Sequence, residues 1–321
     1  MNGQNRGISD YFKMKYLVTG GAGFIGSHIV EQLVQDGQDV VIIDDLSSGE
    51  LKNLAPIIDK IKFVKGDIRD FKVINSAMKG IDYVSHQAAK RAVPDSIIHP
   101  EEFNDVNING TFNVLKAAHG CNVKRVVFAS SSSVYGDSDE FPLSESILPE
   151  PKSPYAITKL MGEYYVRYFY ENYGLETVSL RYFNVFGPRQ DSKSIYSNVV
   201  PIFIDKISND NNPIIYGDGT QRRDCVYVKD IVKANLLAFK AKKLTGKSIN
   251  ICSGSSISIL ELVDMINNLF GKDIKPQFAE ARAGDVMKTL GCNNLAKELI
   301  GYAASVGFKE GLMEMINRFQ T

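Results

Sequence analysis

Thr19-Gly20-Gly21-Ala22-Gly23-Phe24-Ile25-Gly26 is the stretch on which the reading of this chain turns. It follows a strand-like run, Tyr16-Leu17-Val18, and leads into a segment where Ile29, Val30, Leu33 and Val34 recur at helical spacing until Gly37, a helix stop. Strand, glycine turn and helix in that order put Gly21-x-Gly23-x-x-Gly26 where a dinucleotide's pyrophosphate can rest on a helix N-terminus. The glycines turn the chain, let the backbone approach the phosphates and let the helix pack closely on the sheet. A second strand, Asp39–Asp44, ends in Asp44-Asp45 at the distance of a ribose-binding acid. A carboxylate there repels a 2′-phosphate, and Leu46-Ser47-Ser48-Gly49 supplies no Arg, Lys52 being the nearest cation. NAD is therefore expected rather than NADP, held by Gly20, Gly23, Phe24, Ile25, Gly26, Asp44, Asp45, Ser48 and Gly49.

Outward from this turn, strand-like runs alternate with helical patterns: Tyr16–Thr19, Asp39–Asp44, Lys62–Lys65, Tyr83–His86, Arg125–Ser130 and Glu176–Tyr182. Alternation of that kind builds parallel βαβ units, so the fold expected is α/β, a Rossmann-type doubly wound parallel sheet. After Asn184 the pattern breaks at Gly187-Pro188, Asn209–Pro213 and Gly217-Asp218-Gly219. A helix at Val228–Lys240, a strand at Ser248–Cys252 and a helix from Ser258 to Phe270, half buried on both faces, are read beyond it. This predicts a smaller, interleaved C-terminal substrate-binding lobe. The division expected is a flexible extension at 1–13, a cofactor domain at 14–180 with about 225–255, and a substrate lobe at 181–224 and 256–321.

Composition narrows the function. Of 321 residues, 37 are basic and 37 acidic, so no long-range field draws nucleic acid or an anionic membrane. Cys121, Cys225, Cys252 and Cys292 are scattered, and His28, His86, His99 and His119 equally so, which offers no disulfide framework and no metal site. No apolar run approaches the roughly 18 residues that span a bilayer, and no signal-peptide pattern opens the chain. A cytoplasmic protein with reduced thiols is the expectation.

A second constellation carries the chemistry: Tyr155-Ala156-Ile157-Thr158-Lys159, preceded by Ser130-Ser131-Ser132-Ser133. A phenol titrates near pH 10, so a tyrosinate that takes a proton at neutral pH needs about 4 kcal/mol of help. Lys159 lies one helical turn beyond Tyr155 on the same face and supplies a cation. The serines follow a strand, at the carboxyl edge of the sheet where such folds bind ligands. Ser131 can hydrogen-bond a reacting hydroxyl and relay its proton.

Further motifs recur in order: Gly66-Asp67-Ile68-Arg69, His86-Gln87-Ala88-Ala89, Asn107 to Thr111, Val134-Tyr135-Gly136, and Arg181-Tyr182-Phe183-Asn184-Val185-Phe186-Gly187-Pro188. With the glycine turn and Tyr155-x-x-x-Lys159, the chain from about Met14 onward resembles the extended short-chain dehydrogenase/reductase family, within it the nucleotide-sugar epimerases and dehydratases. The resemblance implies that Asp67 and Ile68 contact the adenine, that Gln87, Ala88, Ala89 and Asn107 line the cofactor path, and that Ser131, Tyr155 and Lys159 are catalytic. It implies substrate contacts from Arg91, Ser131, Ser132, Ser133, Tyr155, Asn184, Val200, Tyr216, Arg223, Arg282, Asp285 and Thr289, the arginines gripping a diphosphate. The family's usual proline after the last arginine is Ala283 here.

The family's 4,6-dehydratases carry Asp and Glu where this chain has Ser132 and Ser133, which removes the acid and base for elimination. Oxidation and re-reduction at sugar C4 remain, giving a 4-epimerase. Similarity points to UDP-hexoses, both UDP-glucose/galactose and, because Thr289 replaces a bulky Tyr, UDP-GlcNAc/GalNAc. The alternatives are a UDP-glucuronate 4-epimerase or decarboxylase, with Arg91 facing the carboxylate, a deoxy-sugar reductase that consumes NADPH, or an NAD-binding scaffold without turnover. The resemblance also implies a homodimer through helices at 101–119 and 153–173.

Overall fold

The computed structural model describes residues 13–191, 199–281 and 286–319. In chain order the elements are β1 (Lys15–Thr19), α1 (Phe24–Gln35), β2 (Asp39–Asp44), β3 (Ile61–Lys65), α2 (Phe71–Ala77), β4 (Tyr83–His86), α3 (Val93–Ile98), α4 (Pro100–Asn104), α5 (Thr111–Gly120), β5 (Arg125–Ser131), α6 (Pro154–Tyr173) and β6 (Glu176–Tyr182). There follow β7 (Asn184–Phe186), α7 (Val199–Ser208), β8 (Ile214–Tyr216), β9 (Arg222–Arg223), β10 (Cys225–Tyr227), α8 (Val228–Lys240), β11 (Ser248–Ile251), β12 (Ile257–Ser258), α9 (Ile259–Phe270), β13 (Gln277–Ala279), α10 (Asn294–Ile300) and α11 (Phe308–Phe319).

Seven strands pair in the order β11-β6-β5-β4-β1-β2-β3, all parallel. The register sets Leu17 beside Val41 and Val84, and residues such as Val18, Ile42, Val84 and Val126 are wholly buried. Strands covered on both faces read as continuous apolar runs, which is why β2 is legible as Val-Val-Ile-Ile. Helices α1 and α8 cover one face through Ile29, Val30, Leu33, Ile231 and Ala234. Helices α2, α5 and α6 cover the other through Ile74, Val114, Leu115, Val166 and Phe169. Each fully buried Ile, Leu or Phe contributes roughly 1.5–3 kcal/mol. The expected doubly wound sheet is thus present, and its order reverses between β1 and β4, where a crevice opens at the carboxyl ends.

Three two-stranded sheets, β7–β10, β9–β12 and β8–β13, lie beyond the main one. A third core gathers Phe203 and Ile204 of α7, Leu262 and Ile266 of α9, and Leu312 and Met315 of α11. Helix α9 differs from expectation: it buries Leu262, Val263 and Ile266 while Glu261 and Asp264 are exposed, so one face carries the packing. Its Ser258–Glu261 capping box fixes the start.

The helix expected over 101–119 is present as a continuous helical stretch, but it widens in the middle. Between α4 and α5 lies a π turn, Asp105–Gly110. Asn107 explains it: its side chain accepts from the Lys90 amide at 2.8 Å and donates to the Lys90 carbonyl and to Thr158 Oγ1, each at 3.0 Å. The wider turn aims this amide at the loop after β4 instead of along the helix.

Candidate active site

The glycine turn sits at the carboxyl end of β1. Gly20 adopts φ +67°, and a Cβ on Gly26 would fall 2.1 Å from the Gly20 carbonyl oxygen, so only glycine fits there. Gly23 caps α1 without any side-chain bond to the first amides, which makes them the groups an anion would satisfy. Asp44 closes the turn: it accepts from the Ala22 amide at 2.9 Å and the Leu46 amide at 2.8 Å. Burial raises its pKa against those two bonds. Gly49 packs on the Asp44 carboxylate, whereas Asp45 accepts from the Ser47 amide and hydroxyl and Ser48 is exposed. Phe24 and Ile25 open α1. This cradle of bare backbone, uncapped helix and acid fits a dinucleotide.

Other residues implied by resemblance are placed more variously. Ile68 is buried beneath Gly110. Both Asp67 oxygens accept from Arg69, which, through that bond, lowers the Asp67 pKa. The Ala88 amide donates to Thr19 Oγ1 at 3.2 Å, placing the loop with Ala89 over β1. Gln87 turns its side chain away into a polar cluster with Ser85, Tyr182 and Asn235.

Tyr155 and Lys159 occupy the sheet-facing side of α6, whose start is fixed by Ser153 accepting from the Ala156 amide and by Pro154 in the first turn. Ser131 Oγ, at the end of β5, accepts from Ser133 N at 3.2 Å and Ser133 Oγ at 2.9 Å. Its hydroxyl lies near enough to the Tyr155 phenol to favour the ionised form. Ser132, like Ser133, is half-buried in the turn that follows.

Lys159 donates to the Ala129 carbonyl at 2.8 Å, and its Nζ stands 5.9 Å from the Tyr155 ring centroid. The sequence suggested a phenol drawn down by Lys159. In the fold burial dominates and raises the Tyr155 pKa, opposed by the Ser131 hydroxyl and the Arg91 charge. Burial likewise lowers Lys159 to about 8, with Glu163 opposing.

On the substrate side, Asn184 Nδ2 donates to Thr289 Oγ1 at 3.0 Å and to the Asp224 carbonyl at 3.2 Å. Thr289 is thus a joint between loops as well as a small side chain. Arg91 is exposed, Tyr216 and Arg223 are half-buried on β8 and β9, and Val200 is wholly buried in the third core. Arg282 and Asp285 lie outside the described residues, as do residues 1–12 of the expected extension.

Sequence reasoning missed Asp224. Buried, it accepts from Ser253 N and Oγ, Gly254 N and Gly291 N, tying three loops behind Arg223. It also missed Arg189, which at φ +67° donates to Ser27 Oγ at 3.2 Å and pairs with Glu31, fastening the loop after β7 to α1. Only its place directly after the Gly187-Pro188 motif hinted at this. Among the described residues no cluster of His, Cys, Asp or Glu could hold a metal, and no helix is long and apolar enough to cross a membrane.

Comparison with known proteins follows the same line. Residues 16–252 match the NAD dependent epimerase/dehydratase family. A putative UDP-glucose 4-epimerase of Methanocaldococcus jannaschii is 39% identical over 303 residues, 94% of this chain and 97% of the relative. The UDP-N-acetylglucosamine 4-epimerase of Methanobrevibacter ruminantium M1, solved in complex with UDP-N-acetylmuramic acid, superposes with a TM-score of 0.92 at 41% identity, covering 96% of this chain and 98% of that one. The UDP-glucose 4-epimerase of Thermotoga maritima, solved with UDP-glucose, gives 0.91 at 36% identity over 96% and 99%. The cofactor is NAD, and the chain belongs to the NAD dependent epimerase/dehydratase family.

Proposed function

We propose that the protein, an isomerase and NAD-dependent UDP-sugar 4-epimerase, interconverts UDP-glucose with UDP-galactose and UDP-GlcNAc with UDP-GalNAc. The observation that carries this reading is the gathering of Ser131, Tyr155 and Lys159 at the sheet edge, the Lys159 Nζ 5.9 Å from the Tyr155 ring centroid, with Ser132 and Ser133 where an elimination would need carboxylates. The relatives' printed substrates support it.

When bound, NAD supplies the acceptor and donor of the C4 hydride and a positive ring beside the phenol. Tyr155 takes the sugar O4 proton, directly or through Ser131, and gives it back after the 4-keto sugar has turned over. Lys159 holds positive charge on the same face of α6 as the phenol. Asn184 and Arg223, with Arg282, anchor the diphosphate while the hexose rotates, so binding remote from C4 presents both faces. Arg91 bears on a second reading: its charge reaches the Tyr155 phenol, a position that suits a sugar carboxylate.

Incubation with UDP-galactose, UDP-GalNAc and UDP-glucuronate, without added cofactor and with products resolved by chromatography, separates the readings. Conversion of the first two without net NADH is expected; conversion of UDP-glucuronate alone would replace this reading by the second. Thr289→Tyr should lower UDP-GalNAc turnover roughly ten-fold or more relative to UDP-galactose, and an unchanged ratio would remove Thr289 from the specificity argument.

The assembly we propose is a cytoplasmic homodimer. An exposed aromatic face on α5 and α6, with Phe112, Tyr164, Tyr168 and Tyr173, supports it. Light scattering that returned the monomer mass of 35.6 kDa would rule the dimer out.

A further inference from the structure

Tyr155, Lys159 and Glu163 follow one another at four-residue steps along α6. Glu163 has no part in the chemistry above, yet it is only 5% exposed. Its carboxylate accepts from Ser130 Oγ, from Arg181 Nε at 2.9 Å and Nη2 at 2.7 Å, and from Ser248 Oγ at 2.9 Å. These donors sit on β5, β6 and β11, adjacent strands in the sheet, and Ser130 is the register partner of Arg181. One side chain thus clamps three strand ends to α6. Ser130 lies between Ala129, whose carbonyl receives the Lys159 ammonium, and Ser131, which neighbours the phenol.

We infer that Glu163 is a positioning residue for the Tyr155–Lys159 pair: its buried carboxylate sets a negative charge one helical turn from the Lys159 ammonium and locks the strand end that carries Ser131. The inference rests on the proton-transfer role proposed for that pair.

The other groups around the pair do not supply this charge. From β4, His86 is 1% exposed, bonded to Thr19 and Thr111, and held neutral by burial, its pKa pushed down to about 3. From the loop after β4, Arg91 adds positive charge at the phenol. From β5 the Phe128 ring lies 5.2 Å from Lys159 Nζ. From β6, Arg181 is bound in two-point fashion to Glu163 and stacks on the Tyr135 ring at 4.8 Å. Glu163 is the carboxylate that opposes the effect of burial on Lys159. A buried acid is costly to desolvate; Arg181 and two hydroxyls offset that cost, and the same carboxylate stands one helical turn from Lys159.

The test uses the holoenzyme with UDP-galactose across the neutral to alkaline range, in three variants. Glu163→Gln removes the charge alone. Glu163→Gln/Arg181→Met also removes the cation that would otherwise be left buried and unpaired. Ser130→Ala leaves the ion pair intact and cuts only the bond to the strand of Ser131. For either charge variant that retains bound NAD and the parent circular dichroism, kcat should fall about ten-fold at unchanged KM, and the alkaline limb of the profile should move roughly one pH unit lower, because Lys159 loses its proton earlier. Ser130→Ala should lower kcat several-fold with both KM and the alkaline limb unmoved. An unshifted profile in a folded charge variant overturns the inference. If neither charge variant folds, parent-like kcat in Ser130→Ala overturns it. A Tyr155→Phe control that stayed active would instead sink the underlying assignment of the pair.

Discussion

Replacing Tyr155 by Phe should cut UDP-sugar turnover roughly 10²–10⁴-fold while leaving NAD bound. The substitution deletes one oxygen. The ring still meets Phe103 edge to face, with centroids 6.4 Å apart at 87°, and Pro154 and Ser153 still fix the helix start, so the loss falls on chemistry rather than folding. The phenol works as a base, and burial raises its pKa. Its active form is therefore gained as pH rises, and in the holoenzyme the positive charge of bound NAD would draw the phenol back down below Lys159, which puts Tyr155 on the acid limb of the rate profile. Lys159, lowered to about 8 by burial, loses its ammonium as pH climbs past that value and sets the alkaline limb. In Tyr155→Phe the acid limb should vanish together with the rate. Steady-state kinetics with NAD content measured on the same sample checks this, and activity within ten-fold of the parent would refute the role of the phenol.

Gly26→Ala should weaken NAD binding by roughly 30–100-fold, about 2–3 kcal/mol. The added Cβ meets the Gly20 carbonyl at 2.1 Å and the Gly21 Cα at 2.9 Å, backbone atoms with no rotamer through which to escape. The turn must open, and α1 then draws its amides away from the pyrophosphate. Gly37→Ala is the control: no atom lies within 4 Å of its Cβ, although φ +74° imposes a local strain of roughly 1–2 kcal/mol. Titration of NAD into stripped protein should separate the two variants. Equal affinities would show that the turn is not where the cofactor rests.

The parallel sheet was legible because its information is local. Asp39–Asp44 has a continuous apolar centre, Tyr83–His86 and Glu176–Tyr182 are short stretches rich in β-branched and aromatic residues, and Val228–Lys240 keeps its apolar period throughout, so all four match observed elements. The π turn was not legible, because its cause is Asn107 reaching Lys90 and Thr158, residues 17 and 51 positions away. Asp224 escaped for the same reason, its donors lying at Ser253, Gly254 and Gly291. At the proton-transfer site the spacing of Tyr155 and Lys159 was readable, and the balance of forces was not. A four-residue step says that two side chains share a face; it does not say that the ammonium will rest on the Ala129 carbonyl or that burial will outweigh charge at the phenol.

UDP-galactose carrying deuterium at C4 tests the central claim most directly. A hydride that leaves C4 and returns to the opposite face keeps the label, so the UDP-glucose formed should retain deuterium at C4 and take up none from the solvent. Loss of the label to water, or solvent hydrogen entering at C4 or C5, would mean that the bond is broken as a proton, which contradicts oxidation and re-reduction at C4 by the bound NAD.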